Sequence, residues 1–300
     1  MSQNPEISYP YLLLLDAINP AIIQLDTTSL VTFNLIDELG GTPDGIAIDH
    51  INRLIYWTNM GDNYEADDGS LNLINFDGSG RKMLLGHGQL RTPKQLLLES
   101  QSQRLYWCDR EGGKVCSCKT DGTDLQTHIQ RPRTVTDSVD ILDQCVGIAL
   151  DLDANWLYWT QKGPAKGNKG RIFRMPLSKS SGDFVDESDA DNIQLLLDKL
   201  PEPIDLLFDK ETQILYWTDR GSEPNGNSLN CANVTDDGLN NYRVICRGFK
   251  EAIGLAYNKP ENIMYIADLS GGVYRVMLSN GQFDKIHQGN GYTGLAQFSG

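Results

Sequence analysis

Five segments of the chain share one signature at nearly even spacing: IYWTN ending at Asn59, LYWCD at Asp109, LYWTQ at Gln161, LYWTD at Asp219 and MYIAD at Asp268. The intervals are 50, 52, 58 and 49 residues. A second element precedes each copy: DGIAID, KQLLLE, VGIALD, IDLLFD and IGLAYN. Its last residue always stands seven positions before the tyrosine of the signature, as Asp49 does before Tyr56 and Asp209 before Tyr216. A period of this length, filled with short apolar runs and turn signals such as FDGSG and KTDGTD, specifies a propeller of four-stranded blades. The first run of each unit is apolar at consecutive positions, as expected of strands covered on both faces.

The ends of the sequence supply a sixth unit. YTGLAQF near the C-terminus places Gly294, Leu295 and Ala296 where Gly45, Ile46 and Ala47 stand in the next repeat, and YPYLLLLD places Asp16 at the acid position. Strands from the two termini are therefore expected to share one blade and close the ring, leaving no open sheet edge between first and last blades. The expectation is one all-β domain over residues 1–300, a six-bladed β-propeller of four-stranded antiparallel blades.

A net charge of −14 and a pI near 4.6 argue against nucleic acid and anionic membrane surfaces as partners, since both select basic patches. The sequence has no apolar run of the roughly 18 residues that cross a bilayer. Its N-terminus lacks the basic segment of a signal peptide, so a cytoplasmic location is expected, although a mature secreted chain would read alike. Six cysteines in a chain of this size need not be staples. In RLYWCDREGGKVCSC, Cys108 occupies the threonine position of the repeat and reads as a buried packing residue. Cys116 and Cys118, two apart on a strand, point to the same face and do not favour a mutual disulfide.

The signature resembles the YWTD repeat of the low-density lipoprotein receptor class, and Tyr216-Trp217-Thr218-Asp219 is a full copy. The resemblance runs over the whole chain and implies a six-bladed propeller in which the motif packs and hydrogen-bonds between blades. Asn59, Cys108, Gln161 and Ile266-Ala267 depart from it, which suits a structural role. A narrower resemblance, in length and in the lack of companion modules, is to stand-alone fungal propellers of secondary metabolism. Some of these catalyse hetero-Diels–Alder cycloadditions between a quinone methide and a terpene.

Propeller ligands sit at a mouth of the axis, here built by the loops after each signature and before each first strand. Arg110, Lys162 and Arg220 directly follow the signature in three consecutive repeats, where the others carry Ala17, Met60 and Leu269. Cations at one register suit a carboxylate, enolate or electron-rich carbonyl. The plainer reading is solvation with local ion pairs to Glu111 or Glu223. Gln95 and Asp205 stand where four repeats have glycine (Gly45, Gly147, Gly254 and Gly294), so their side chains either reach the channel or tie one blade to the next.

The resulting expectation is a cofactor-free, metal-free pericyclase acting on a polyketide or terpenoid small molecule. Arg110, Lys162, Arg220, His87 and Gln95 are the polarising donors, and Tyr64, Asp205, Arg131, Arg133, Phe249 and Tyr292 line the substrate. Two alternatives stand beside it. One is a non-catalytic propeller that grips a peptide or ligand at its mouth. The other is a metal-dependent, lactonase-like hydrolase using Asp44, Asp205 and Asn225. The four histidines show no metal-ligand spacing, and no phosphate loop or nucleophile elbow is present.

Overall fold

Each repeat forms the four antiparallel strands that its spacing predicts. In a computed structural model of the chain, the described residues are 11–131, 139–177 and 192–298. The chain enters through β1 (Tyr11–Asp16), β2 (Ala21–Asp26) and β3 (Thr32–Ile36). Four-stranded blades then follow from first strands β4 (Pro43–Asp49), β8 (Pro93–Glu99), β12 (Cys145–Asp151), β16 (Pro203–Asp209) and β20 (Ala252–Asn258). The last strand, β24 (Tyr292–Phe298), is the innermost strand of the blade begun by β1, β2 and β3. We number this shared blade 1 and the others 2 to 6 in chain order. Among the described residues no helix is long and apolar enough to cross a membrane.

The signature lies on the second strand of each blade: β5 (Leu54–Asn59), β9 (Arg104–Asp109), β13 (Trp156–Gln161), β17 (Ile214–Asp219) and β21 (Ile263–Asp268). Successive side chains of a strand point to opposite faces, so its tyrosine and tryptophan serve different neighbours. Trp107 packs with Ala47 and Tyr56 of the preceding blade, whereas Tyr106 packs with Ile148 and Trp159 of the following one. The same division holds for Tyr158 and Trp159 and for Tyr216 and Trp217. Trp57, Trp107, Trp159 and Trp217 are fully buried. Each such indole removes on the order of 200 Å² from water, worth roughly 5 kcal/mol before the entropy of ordering is subtracted.

The threonine, on the tyrosine's face, reaches the next blade's first strand. Thr58 donates to Lys94 O at 2.6 Å, Thr160 to Ile204 O at 2.9 Å and Thr218 to Ile253 O at 2.6 Å. Each also accepts from the first strand of its own blade, at Gly45 N, Gly147 N and Asp205 N. In blade 3 the Cys108 thiol also reaches the next blade's first strand, donating to Gly147 O at 3.3 Å, one residue beyond the position the threonines use. All six cysteines are buried thiols, Cys116 and Cys118 among them. In blade 1, where leucine holds the motif position, Thr293 of β24 donates to Pro43 O instead, at 2.8 Å.

First strands meet tightly at the axis. A Cβ on Gly147 would lie 2.0 Å from Ile204 O, and one on Gly45 2.5 Å from Lys94 O. The ring closes where β24 pairs antiparallel with β1, from Tyr11 opposite Phe298 to Asp16 opposite Tyr292. The Tyr11 and Phe298 rings stack at 4.4 Å.

Two substitutions test these contacts by urea denaturation. Gly147→Ala is expected to cost about 3 kcal/mol or more, because the neighbouring backbone cannot retreat without opening the ring. Cys108→Thr is expected to stabilise by up to about 1 kcal/mol, as a hydroxyl replaces a weak thiol donor.

Candidate functional site

The acid that ends three of the signatures organises one mouth of the propeller. Asp109 accepts from Arg91 N, Thr92 N and Gly112 N, and Asp219 from Glu202 N and Gly221 N. Asp268 accepts from Lys250 N, Ser270 N and Gly272 N. These bonds fasten the loop leaving the second strand to the loop entering the first. The residue after the signature then donates its N–H to the carbonyl just before the first strand or its neighbour. This holds for Met60 to Thr42, Arg110 to Thr92, Arg220 to Glu202, Leu269 to Glu251 and Ala17 to Gly291, at 2.8–3.1 Å. One backbone bond, repeated around the ring, thus delivers each of these side chains to the mouth at the same height.

Arg110, Lys162 and Arg220 are brought together there, joined by a fourth cation that the spacing did not single out, Lys94. Burial draws the Lys162 ammonium down from its ordinary range, and the charges of Arg220 and Arg110 act in the same direction against Glu202. Lys94 is lowered by burial as well, with Arg110 and Arg220 adding to the effect against Asp44. Glu202, itself buried, takes Lys162 Nζ at 3.3 Å and Arg220 Nε at 2.7 Å on one oxygen, and Lys166 N on the other. Glu111 takes Arg110 Nε at 2.6 Å and also the Thr92 hydroxyl. The Arg110 guanidinium lies 5.2 Å from the centre of the Tyr64 ring, whose hydroxyl donates to Thr42 at 3.1 Å. The plainer reading of Arg110 therefore names its partner, Glu111. Arg220 turns to Glu202 and not to Glu223, because Glu202 enters the mouth from the adjoining loop.

Beneath the cations, the second residues of the first strands ring the axis. Thr293, Asp44 and Lys94 make a polar half on blades 1 to 3. Val146, Ile204 and Ile253 make an apolar half on blades 4 to 6, with Leu269 packed against them. Lys94 Nζ sits 2.5 Å from Asp44 and 3.4 Å from the Met60 sulfur. Lower still, Gln95 spans three blades: its Oε1 accepts from Ile148 N at 2.6 Å and Leu206 N at 3.1 Å, and its Nε2 donates to Leu206 O at 2.9 Å. Asp205 accepts from Leu255 N of blade 6, and burial pushes its carboxyl well up. Both side chains face the axial cavity and tie blades together. That cavity measures about 40 Å³ and is bounded by Asp44, Gln95, Ile204, Asp205, Ile253 and Thr293 among others. It has room for a few waters, where a small-molecule pocket takes roughly 300 Å³ or more. A substrate-sized ligand does not fit inside it.

The remaining expected residues lie elsewhere. His87 is exposed on β7 (Lys82–Leu90), the outermost strand of blade 2. Phe249 is buried among aromatics, 5.0 Å from Tyr274 and 5.3 Å from Phe283 between ring centres. Tyr292 is buried in the core between blades 6 and 1, bonded to His287. Both rings fill gaps between blades, Tyr292 as the first residue of β24 and Phe249 in the loop before β20. Arg131 is buried with its guanidinium 5.5 Å from the Phe173 ring centre, and Arg133 lies outside the described residues. Asn225 is exposed at the rim, near Arg247, so Asp44, Asp205 and Asn225 do not assemble on the axis.

Together these features define a six-bladed propeller of the YWTD type with a cationic, half-apolar mouth. No protein-family model matches the chain. It is 43% identical over 260 residues to a Pyricularia oryzae protein named low-density lipoprotein receptor-related protein 1, covering 83% of this chain and 82% of that one. The chain belongs to this family of low-density lipoprotein receptor-related propellers. It is also 34% identical over 269 residues, 85% of its length, to the 3-hydroxyacyl-CoA dehydrogenase-like protein LAM1 of Cochliobolus heterostrophus, of which it spans 56%. Among solved structures, a chain of the nidogen/laminin complex superposes with a TM-score of 0.75 at 17% identity, over 96% of this chain and 98% of that one, which shows the shared fold.

The mouth carries a titration near neutrality. Burial, with the charge of Glu202 adding to it, pushes Asp219 up to about 7 despite its two backbone donors. A carboxyl raised on folding stabilises most below its unfolded value, and that contribution is lost as pH rises towards the folded one. Relative to Asp219→Asn, the wild type is therefore expected to lose up to about 1.4 kcal/mol per pH unit between roughly pH 5 and 7 and then level off. Urea midpoints across that range measure it.

Proposed function

We propose that the chain is a small-molecule protein of secondary metabolism whose mouth holds and polarises a carbonyl compound with an apolar body. The carrying observation is the convergence of Arg110, Lys162, Arg220 and Lys94 beside the apolar half-ring of Val146, Ile204 and Ile253, on a chain of net charge −14. Cations partly withdrawn from water stabilise negative charge as it gathers on a carbonyl oxygen, while the apolar side orients the carbon skeleton. The reaction that fits this division is a hetero-Diels–Alder cycloaddition of a quinone methide with a polyene. It needs two partners held in a near-attack arrangement, a few donors at the carbonyl, and no cofactor. The name of the Cochliobolus relative refers to acyl chemistry, which also supports a carbonyl-bearing ligand. The buried thiols agree with a cytoplasmic setting.

A second reading, non-catalytic capture of an acidic peptide loop, is favoured by one observation. The axial cavity is too small to enclose a ligand, so whatever binds lies across the mouth.

Purified protein is to be incubated with a quinone-methide precursor and a terpene polyene. The cycloadduct is expected to form faster than in buffer, and Arg110→Ala and Arg220→Ala are each expected to lower the acceleration about 10- to 100-fold. An unaccelerated reaction, together with saturable binding of an acidic peptide abolished by Arg220→Ala, would replace the first reading with the second.

A further inference from the structure

Lysine is abundant on the surface, but among the described residues only Lys94 and Lys162 are buried lysines. Their ammonium groups are held differently. Lys162 donates to Gly163 O at 3.1 Å as well as to Glu202, two good acceptors. Lys94 has Asp44 and, beyond it, a thioether, which accepts hydrogen bonds poorly. Its side chain is 9% exposed, at the level where the apolar and polar halves of the ring meet. An amine taken out of water and set beside other cations is the arrangement that turns lysine from a surface charge into a nucleophile. Burial above all, with the charges of Arg110 and Arg220, favours its neutral form against the pull of Asp44, which stands in contact as a proton acceptor.

We propose that Lys94 is an imine-forming lysine that condenses with the carbonyl carbon of an aldehyde or ketone at the mouth, with Asp44 carrying the protons. The Lys94 ammonium gives one proton to Asp44, and the free amine adds to the carbonyl carbon as the C–O π bond breaks. The carbinolamine oxygen then leaves as water, taking up two of the three protons that the nitrogen began with, one of them by way of Asp44. The nitrogen keeps the third as a protonated imine. The sum is ammonium plus carbonyl giving iminium plus water, with no oxidant or reductant. The cavity beneath, bordered by Asp44, has room for the water that is released and later returned for hydrolysis. With an α,β-unsaturated carbonyl the iminium withdraws electrons from the adjoining double bond, which activates it for cycloaddition. The inference rests on the reading that this mouth takes carbonyl compounds, and it names the covalent form of that binding.

The test uses the intact chain with cinnamaldehyde and sodium cyanoborohydride at pH 7, followed by peptide mass mapping. Lys94 is expected to be reductively alkylated about tenfold or more faster than exposed Lys82 and Lys199, as an activated amine outpaces ordinary surface lysines. Asp44→Asn, which keeps the side chain's shape, is expected to slow the labelling of Lys94 without changing that of Lys82. Mapping is done on the wild type, so the result does not depend on whether Lys94→Arg folds. Labelling of Lys94 no faster than of the exposed lysines overturns the proposal. So does unchanged cycloaddition in a folded Lys94→Arg variant, an outcome that leaves the mouth's carbonyl-binding role standing. Selective labelling of Lys94 with no cycloaddition would instead sustain the imine and remove the pericyclase reaction.

Discussion

Six first strands converging on one axis leave so little room that backbone meets backbone, and most of the molecule follows from that crowding. Four of the strands accept it by carrying glycine where a Cβ would strike the next blade. The other two carry Gln95 and Asp205, whose side chains replace the lost close approach with hydrogen bonds to the neighbouring first strands. The threonines and Cys108 bind the same strands from behind, so each blade is held to the next by polar bonds near the axis and by tyrosine and tryptophan farther out. What remains at the centre is a space for a few waters, polar on one side and apolar on the other, and too small for a larger ligand.

The signature's acid links this scaffold to the site. Its carboxylate satisfies backbone donors from two loops at once, and those loops present the next side chain at a constant height. The same backbone bond presents Ala17, Met60 and Leu269 in three blades and Arg110 and Arg220 in two others, so the fold is indifferent to the choice. A site can therefore be written at this register without disturbing the ring. Glu202 shows the other side of that freedom, since one buried carboxylate holds two of the cations in place.

The architecture was legible because it is repeated: strand order, closure by the termini and the facing of Cys108 all follow from aligning the repeats with one another. The cation register was legible for the same reason. Asp44 was read only as a lactonase-like acid, and Lys94 and the pair they form were not seen, although both share a register with Val146, Ile204, Ile253 and Thr293, at which they alone are charged. Attention to the glycine one position later hid them, and their contact joins residues 50 apart that only the ring brings together. Phe249 and Tyr292 failed as lining residues for a different reason. Loop position says that a ring is near the mouth, but not whether it turns outward or fills the gap between blades. His87 lies beyond such reasoning too, because it falls on an edge strand and not in a connecting loop.

The pairing of β24 with β1 sets a timetable for the chain's manufacture. Thr293 and Leu15, which meet in the finished blade, are 278 residues apart. At ordinary elongation speeds of roughly 5–20 residues per second, the first strands wait about 15 to 60 seconds for their partner. Five blades can stack meanwhile, but YLLLLD must pass that interval with one edge unpaired. The ribbon of β1, β2 and β3 thus keeps one edge open until β24 arrives to close it.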